Sequence, residues 1–279
     1  MNVPAYLNRL RQPAAPPSAD ALRALHAAHV ERVAYEALEV WLGRPTTIDP
    51  DESAARIAAG RGGYCYHLNG AFAALLTALG YDVTRHVGGV QNRGGEAGIT
   101  ANHLVLTVRG LPAPDNPGGA WLVDAGLGDG LHEPLPLVAG TYRQGPFTYG
   151  LRPSQVAPGG WRFDHDPAGS FIGMDFGLAP AEMSAFEAMH RHLTTSPDSG
   201  FVRTAVVQRR DALGVDTLRG LVLSRTGGKV LTVTLDSARD YYAALADIFE
   251  LPLDDVSAAE KDKLWIKVHA AHEAWLTST

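Results

Sequence analysis

One stretch constrains this chain more than any other: Gly60-Arg61-Gly62-Gly63-Tyr64-Cys65-Tyr66-His67-Leu68-Asn69. It holds the only cysteine of 279 residues, set between a glycine-rich turn and an apolar run from Gly70 to Leu79. The pattern predicts a loop feeding a helix, with Cys65 in the first turn. There the positive end of the helix dipole and the free backbone N–H groups favour a thiolate. Gly62 and Gly63 are read as leaving room for a substrate carbonyl to approach the sulfur. A lone buried cysteine is otherwise only a small hydrophobe. A nucleophile therefore needs a histidine and a carboxylate from elsewhere in the chain.

Both are on offer. His103 opens the β-branched run His103-Leu104-Val105-Leu106-Thr107-Val108, and Asp124 ends the apolar run Trp121-Leu122-Val123-Asp124. Pro112, Pro114 and Pro117 lie between them, so the two runs predict an antiparallel hairpin. The start of the first strand and the end of the second then lie at one end. That sets an imidazole beside a carboxylate, the arrangement in which an aspartate orients a histidine base.

Arg61-Gly62-Gly63-Tyr64-Cys65, with Asn69 four residues on, resembles the nucleophile motif of the arylamine N-acetyltransferase family. Asn102-His103 and Val123-Asp124-Ala125-Gly126-Leu127-Gly128 resemble its other two motifs in the expected order, and chain length and segment order also fit. The resemblance implies Cys65, His103 and Asp124 as a catalytic triad, acetyl-coenzyme A as acyl donor, and an arylamine or hydrazine as acceptor. It also implies that Gly126, Leu127 and Gly128 line the entrance for the pantetheine arm, and that Glu36 pairs with Arg61. Relatives often carry an aromatic residue between the last two glycines. Leu127 is read as altering the acceptor pocket and leaving the acyl transfer itself intact.

A net charge of −6 with no basic run argues against a nucleic-acid partner. One cysteine excludes an internal disulfide and any multi-cysteine zinc site, and no metal is expected. No apolar stretch is long enough to span a bilayer. The first thirty residues lack a basic start followed by an apolar core. A cytoplasmic, reducing home is the expectation.

The fold class expected is α+β: an N-terminal helical bundle, a central antiparallel β-barrel and a C-terminal α/β lid. The divisions fall at 1–81 (bundle with the nucleophile), 82–180 (barrel with His and Asp), 181–200 (a bridging helix) and 201–279 (lid). Capped helices are expected from Ser18 or Asp20, from Asp49 or Asp51, from Ser237 and from Ser257, with Gly60 as a helix stop. Val83, Arg85, Val87 and Gly89 alternate with their neighbours as a strand. Short β-like pieces surround Tyr142, Phe147, Tyr149, Trp161 and Phe163, and Ala181 to Leu193 is helical in pattern. Strands are expected at Val202–Arg209, Leu218–Ser224 and Val230–Leu235, with a hairpin turn at Gly227-Gly228.

Competing residues are few. His67 is about 200° round the helix from Cys65 and faces another way, so a surface or core-edge role fits it better. His86, His132, His165, His190 and His192 read as ordinary surface or packing histidines. Asp129 competes with Asp124 but follows the glycine turn and should be more exposed. Rival functions are an amide synthase closing a polyketide chain with the same triad, a cysteine protease or transglutaminase, and an inactive binding module.

Overall fold

Side-chain caps begin most of the helices in the first eighty residues. The computed structural model describes residues 1–278. Helix α1 (Val3–Leu10) follows Asn2, whose side chain accepts from the Ala5 amide. Ser18 does the same for α2 (Ala19–Arg32), and Asp49 for α4 (Pro50–Ala58). Each supplies an oxygen to N–H groups that the helix cannot satisfy itself. Between α2 and α4 lie a two-residue strand β1 (Tyr35–Glu36) and a short α3 (Leu38–Leu42). Helix α5 (Cys65–Ala78) differs from the rest: nearly every residue from Cys65 to Leu76 is buried. A helix apolar all round belongs in a core, and α5 is the axis of the first one, with Leu22, Ile57 and Trp121 around it.

After Gly80 the chain turns to strands: β2 (Asp82–Gln91), β3 (His103–Arg109), β4 (Trp121–Val123), β5 (Leu135–Pro136), β6 (Gly140–Gln144), β7 (Phe147–Pro153), β8 (Trp161–Asp164) and β9 (Gly173–Pro180). They form one antiparallel sheet in the order β5-β4-β3-β2-β9-β8-β7-β6, curled into a near-closed barrel. Strand β3 is buried on both faces. Leu104, Leu106 and Val108 face the helical core around α5, while Val105 joins the barrel core with Leu122, Tyr149 and Phe176. Alternate residues serve two cores, which is why the run is apolar throughout.

A 3₁₀ turn (Met183–Phe186), α6 (Glu187–Thr195) and the one-turn α7 (Gly200–Arg203) lead to the last part. There β10 (Val206–Asp211), β11 (Gly214–Arg219), β12 (Val222–Thr226) and β13 (Leu231–Thr234) form a five-stranded sheet in the order β1-β10-β11-β12-β13. Helices α8 (Ala238–Asp247) and α9 (Ala258–Ser278) cover it over a core of Leu218, Leu223, Tyr241, Leu245 and Phe249. Strand β1, from the N-terminal part, is therefore the edge of the C-terminal sheet. No helix among the described residues is long and apolar enough to cross a membrane.

Two strand expectations fail here. Leu218–Ser224 is two strands joined at Gly220, which turns at φ +58°. Leu218, Leu221 and Leu223 all enter one core, so the apolar pattern runs unbroken through the turn. Gly200–Arg203 is a helical turn started by Ser199, and the strand begins only at Val206.

Candidate active site

The loop before α5 is held by close backbone packing. Gly60 turns the chain out of α4 at φ +91°. A Cβ on Gly62 would stand 2.1 Å from the Ala34 carbonyl oxygen, and one on Gly63 would stand 2.6 Å from the His67 Cβ. The glycines thus admit protein neighbours, and the room for a substrate expected of them is not what they provide. Gly63 O also accepts from the Glu36 amide at 2.8 Å, tying the loop to β1.

Arg61 does not pair with Glu36. Its guanidinium lies 2.6 Å from Glu39 Oε1 and 3.1 Å from Asp255 Oδ1. Glu36 is turned to the start of α3, where its Oε2 accepts from the Leu38 amide at 2.5 Å. Helix N-termini draw carboxylates in this way.

Cys65 is the first residue of α5, buried, with Sγ 3.7 Å from the Asn102 carbonyl oxygen. The amides of Cys65 and Tyr66, at the first two positions, have no acceptor within the helix. His67 is buried, neither on the surface nor at a core edge. Its Nδ1 accepts from the Tyr64 amide at 3.4 Å, and Nε2 lies 3.3 Å from Thr46 Oγ1. Burial lowers it to about 3, so it serves as a neutral cap to the helix that Cys65 begins.

The hairpin forms as expected, with Leu106 opposite Val123, Thr107 opposite Leu122 and Val108 opposite Trp121. His103 and Asp124 then meet at its open end, with Nε2 donating to Oδ2 at 2.7 Å. Nδ1 is left for Cys65. Burial disfavours a charged imidazole here, but the Asp124 carboxylate and then Cys65 outweigh it and push His103 up to about 10. Asn69, one turn along α5 from Cys65, clamps the carboxylate. Its Nδ2 donates to Asp124 Oδ1 and to Leu104 O, both at 2.7 Å, while its Oδ1 accepts from the Ala125 amide at 2.9 Å. The Gly126 amide donates to Asp124 Oδ1 at 3.1 Å. One helix therefore supplies both the thiol and the amide that orients the carboxylate.

Sequence reasoning missed His26. It accepts the Asp124 amide at Nε2 (3.2 Å) and donates from Nδ1 to His132 O (2.9 Å). Burial lowers it to about 4, which keeps the neutral tautomer both bonds require. Nothing in the pattern of α2 marks it, because its partner lies ninety-eight residues away. Asn102 also has a part: its side chain bonds both the amide and the carbonyl of Val90, fixing the strand entry at His103.

Asp129 is buried, against the expected exposure, and takes the Ser170 amide and hydroxyl at 2.6 and 2.9 Å. It lies 3.6 Å from His165, while the ion pair of His103 is with Asp124. His86, His132 and His165 are buried packing histidines, and His132 lies 2.7 Å from Glu31. His190 bridges the Tyr64 hydroxyl and Thr46 O. His192, in the last turn of α6, is exposed.

Cys65 and His103 open onto a cleft of about 610 Å³ between the barrel and the C-terminal sheet. Gly126 and Leu127 are on its wall. A Cβ on Gly126 would stand 2.8 Å from Cys65 Cα, so this glycine is pressed against Cys65 itself. Gly128 (φ +68°) packs instead against Gln208 and Tyr35, which do line the cleft. No cluster of three or more metal-ligating side chains occurs among the described residues.

A thiol, an imidazole held protonated by a carboxylate, and free helix-start amides can carry acyl transfer. The sequence matches the N-acetyltransferase family model over residues 18–258. The arylamine N-acetyltransferase of Mycolicibacterium smegmatis is 30% identical over 273 residues, which is 93% of this chain and 95% of that protein. The solved M. smegmatis arylamine N-acetyltransferase superposes with a TM-score of 0.83 at 27% identity, covering 95% of this chain and 97% of its own. The Mycobacterium marinum arylamine N-acetyltransferase, solved in complex with CoA, gives 0.82 at 26%, covering 96% and 98%. With a family model across most of its length and a relative matched almost end to end, this chain belongs to the arylamine N-acetyltransferase family.

Proposed function

We propose that Cys65, His103 and Asp124 transfer an acetyl group from acetyl-coenzyme A to the nitrogen of an arylamine, arylhydrazine or N-hydroxyarylamine, through an acetyl-cysteine. The observation that carries this is the 2.7 Å bond from His103 to Asp124 beside Cys65, at the wall of a single cleft. The Cys65 thiolate attacks the thioester carbonyl. The oxyanion that forms takes hydrogen bonds from the free amides of Cys65 and Tyr66. The carbon–sulfur bond to coenzyme A breaks, and the departing sulfur takes a proton from His103. The acceptor nitrogen then attacks acetyl-Cys65 and gives its proton to His103. Cleavage of the bond to Cys65 restores the thiolate and imidazolium. Asp124 stays ionised throughout and holds the imidazole.

Gly126 and Leu127 would flank the arriving pantetheine arm, with Gly128 supporting them from the Gln208 side. The acceptor is a small aromatic amine, with no nucleic-acid or membrane partner. A reducing, cytoplasmic setting would keep the single thiol free.

The order of events tests the reading. Acylation before acceptor binding predicts parallel double-reciprocal lines when acetyl-coenzyme A is varied at several fixed arylamine levels. Acetyl-coenzyme A alone should leave one acetyl group on the peptide containing Cys65. Intersecting lines, with no acetylated peptide, would sink the acetyl-cysteine route.

A further inference from the structure

Four successive residues on the wall of the catalytic cleft, Ala168 to Phe171, belong to the turn between β8 and β9. Regular pairing of the two strands ends at Asp164 opposite Gly173, and the His165 amide adds one last rung to Ile172 O at 2.9 Å. Asp166 then closes the turn, taking the Ala168 amide at Oδ1 and the Gly169 amide at its carbonyl, both at 2.9 Å. Its Oδ2 holds the Thr148 amide of β7 at 2.8 Å. Those bonds secure the base of the turn.

The part that lines the cleft is held by other side chains. Asp129 Oδ2 accepts from the Ser170 amide at 2.6 Å, and its Oδ1 accepts from the Ser170 hydroxyl at 2.9 Å. Arg93, in the loop after β2, donates to Pro167 O and Gly169 O at 2.8 and 3.0 Å. The His165 ring packs against the turn: a Cβ on Gly169 would stand 1.9 Å from its Cε1, and Phe171 meets it edge to face at 4.2 Å.

Of these fasteners, Asp129 is the one that also lines the cleft. It is 7% exposed, and no other carboxylate among the described residues is on the cleft wall. Taking a carboxylate out of water is costly unless donors meet its oxygens. Here both hydrogen-bond donors come from Ser170, with His165 Nε2 3.6 Å away. The carboxylate and the turn therefore hold each other in place. Lifting the turn would strip both hydrogen bonds from a buried charge, which makes this stretch of wall stiff. Ala168, Gly169 and Phe171 carry no charge, so the wall selects by shape.

We propose that Asp129 is a specificity-determining residue: by fastening Ser170 it fixes the turn as a rigid wall and limits the bulk of the aromatic acceptor that reaches Cys65. The assignment rests on the acyl-transfer reading above and adds what chooses among its acceptors. The segment that carries Asp129 begins at Asp124, the partner of His103, so the latch and the reacting groups share one short run of chain.

Two variants test it. Asp129→Leu keeps the reach of the side chain and removes both acceptors, whereas Ser170→Ala removes only the hydroxyl. The ratio of kcat/KM for aminofluorene to that for aniline, with acetyl-coenzyme A as donor, should rise about tenfold in Asp129→Leu and about threefold in Ser170→Ala. A second arm needs no turnover. Cys65 is the only thiol, so its labelling rates with N-ethylmaleimide and pyrenyl maleimide compare a small and a bulky reagent of the same chemistry. The bulky reagent should gain on the small one by similar factors. Melting curves check that the variants fold, and Ser170→Ala decides alone if Asp129→Leu does not fold. Either ratio staying within about twofold of the parent in the folded variants overturns the assignment. A parent enzyme inactive with acetyl-coenzyme A would defeat the proposed function, while the labelling ratio still decides the wall.

Discussion

Asp124→Asn keeps the size of the side chain but removes an acceptor that three donors share. Asn69 Nδ2 and the Gly126 amide point at Oδ1, and His103 Nε2 points at Oδ2. An amide offers one oxygen and one NH₂. If the oxygen serves Asn69 and Gly126, the NH₂ faces His103, and the ring must accept at Nε2 and carry its proton on Nδ1. If the amide is flipped, its NH₂ meets two donors in a buried site. The first arrangement stops the imidazole acting as a base toward Cys65, and the flipped one keeps the working tautomer only by setting an NH₂ against two buried donors. The parent ring, against the opposing effect of burial, is pushed up to about 10 by Asp124 and then Cys65. Relative to an ordinary histidine near 6.5, that favours the charged form by roughly 5 kcal/mol at 1.36 kcal/mol per pH unit.

Without the carboxylate, burial dominates and the ring is neutral at pH 7. The expected loss in kcat/KM is about 10³–10⁴-fold, the scale of the same substitution in a Ser-His-Asp triad. That is roughly 4–5.5 kcal/mol of barrier. Steady-state acetyl transfer measures it, and alkylation of Cys65 by iodoacetamide between pH 5 and 10 reports the lost ion pair. The sign of the stability effect follows from the raised ring. His103 contributes stability that is fully present below about 6.5 and is lost as pH rises through about 10. The parent Tm should therefore fall over that window, and the variant should fall less. A variant that keeps more than about a tenth of the parent kcat/KM, or whose alkylation profile matches the parent, would refute the argument.

Two further substitutions test the surroundings. Asn69→Ala orphans the Ala125 amide and loosens Asp124 in a fully buried site. It should lower stability by about 2–4 kcal/mol, read by urea melting, and lower kcat more than the KM for acetyl-coenzyme A. Leu127→Phe tests the proposal that residue 127, on the cleft wall, meets the acceptor. Leu127 is only 7% exposed and is packed in the barrel core, with Gly130 behind it. Overpacking should cost about 1–3 kcal/mol, and the same variant should alter KM for a flat arylamine. An unchanged melt together with an unchanged KM would remove residue 127 from both roles.

What the sequence made legible is what local chemistry dictates. Ser18, Asp49 and Ser237 each cap the helix expected of them, and the apolar runs after His103 and before Asp124 pair as a hairpin. The His103–Asp124 contact follows from that pairing alone. His26 was illegible because an imidazole in an amphipathic helix looks the same whether or not a distant backbone amide finds it. Asp129 looked exposed because it follows a glycine turn, yet the Ser170 loop folds over it from forty-one residues away. Leu218–Ser224 misled for the opposite reason, since the turn at Gly220 leaves the apolar alternation undisturbed.

The glycine-rich stretch itself reads differently once its neighbours are in place. Its arginine reaches Glu39 on α3 and Asp255 just before α9. Gly62 lets the loop touch the Ala34 carbonyl, and Gly63 bonds to β1, the edge strand of the C-terminal sheet. The loop that ends at Cys65 is thus braced against the helical part, the C-terminal sheet and the segment leading into α9 at once. A nucleophile at a helix start needs its amides aimed within a fraction of an ångström, and a glycine loop left to itself would be the most mobile piece of such a site. Here Gly62 and Gly63 allow the close approaches, and Arg61 makes the cross-links that hold them. Both residue types serve rigidity, and neither needs to touch a substrate.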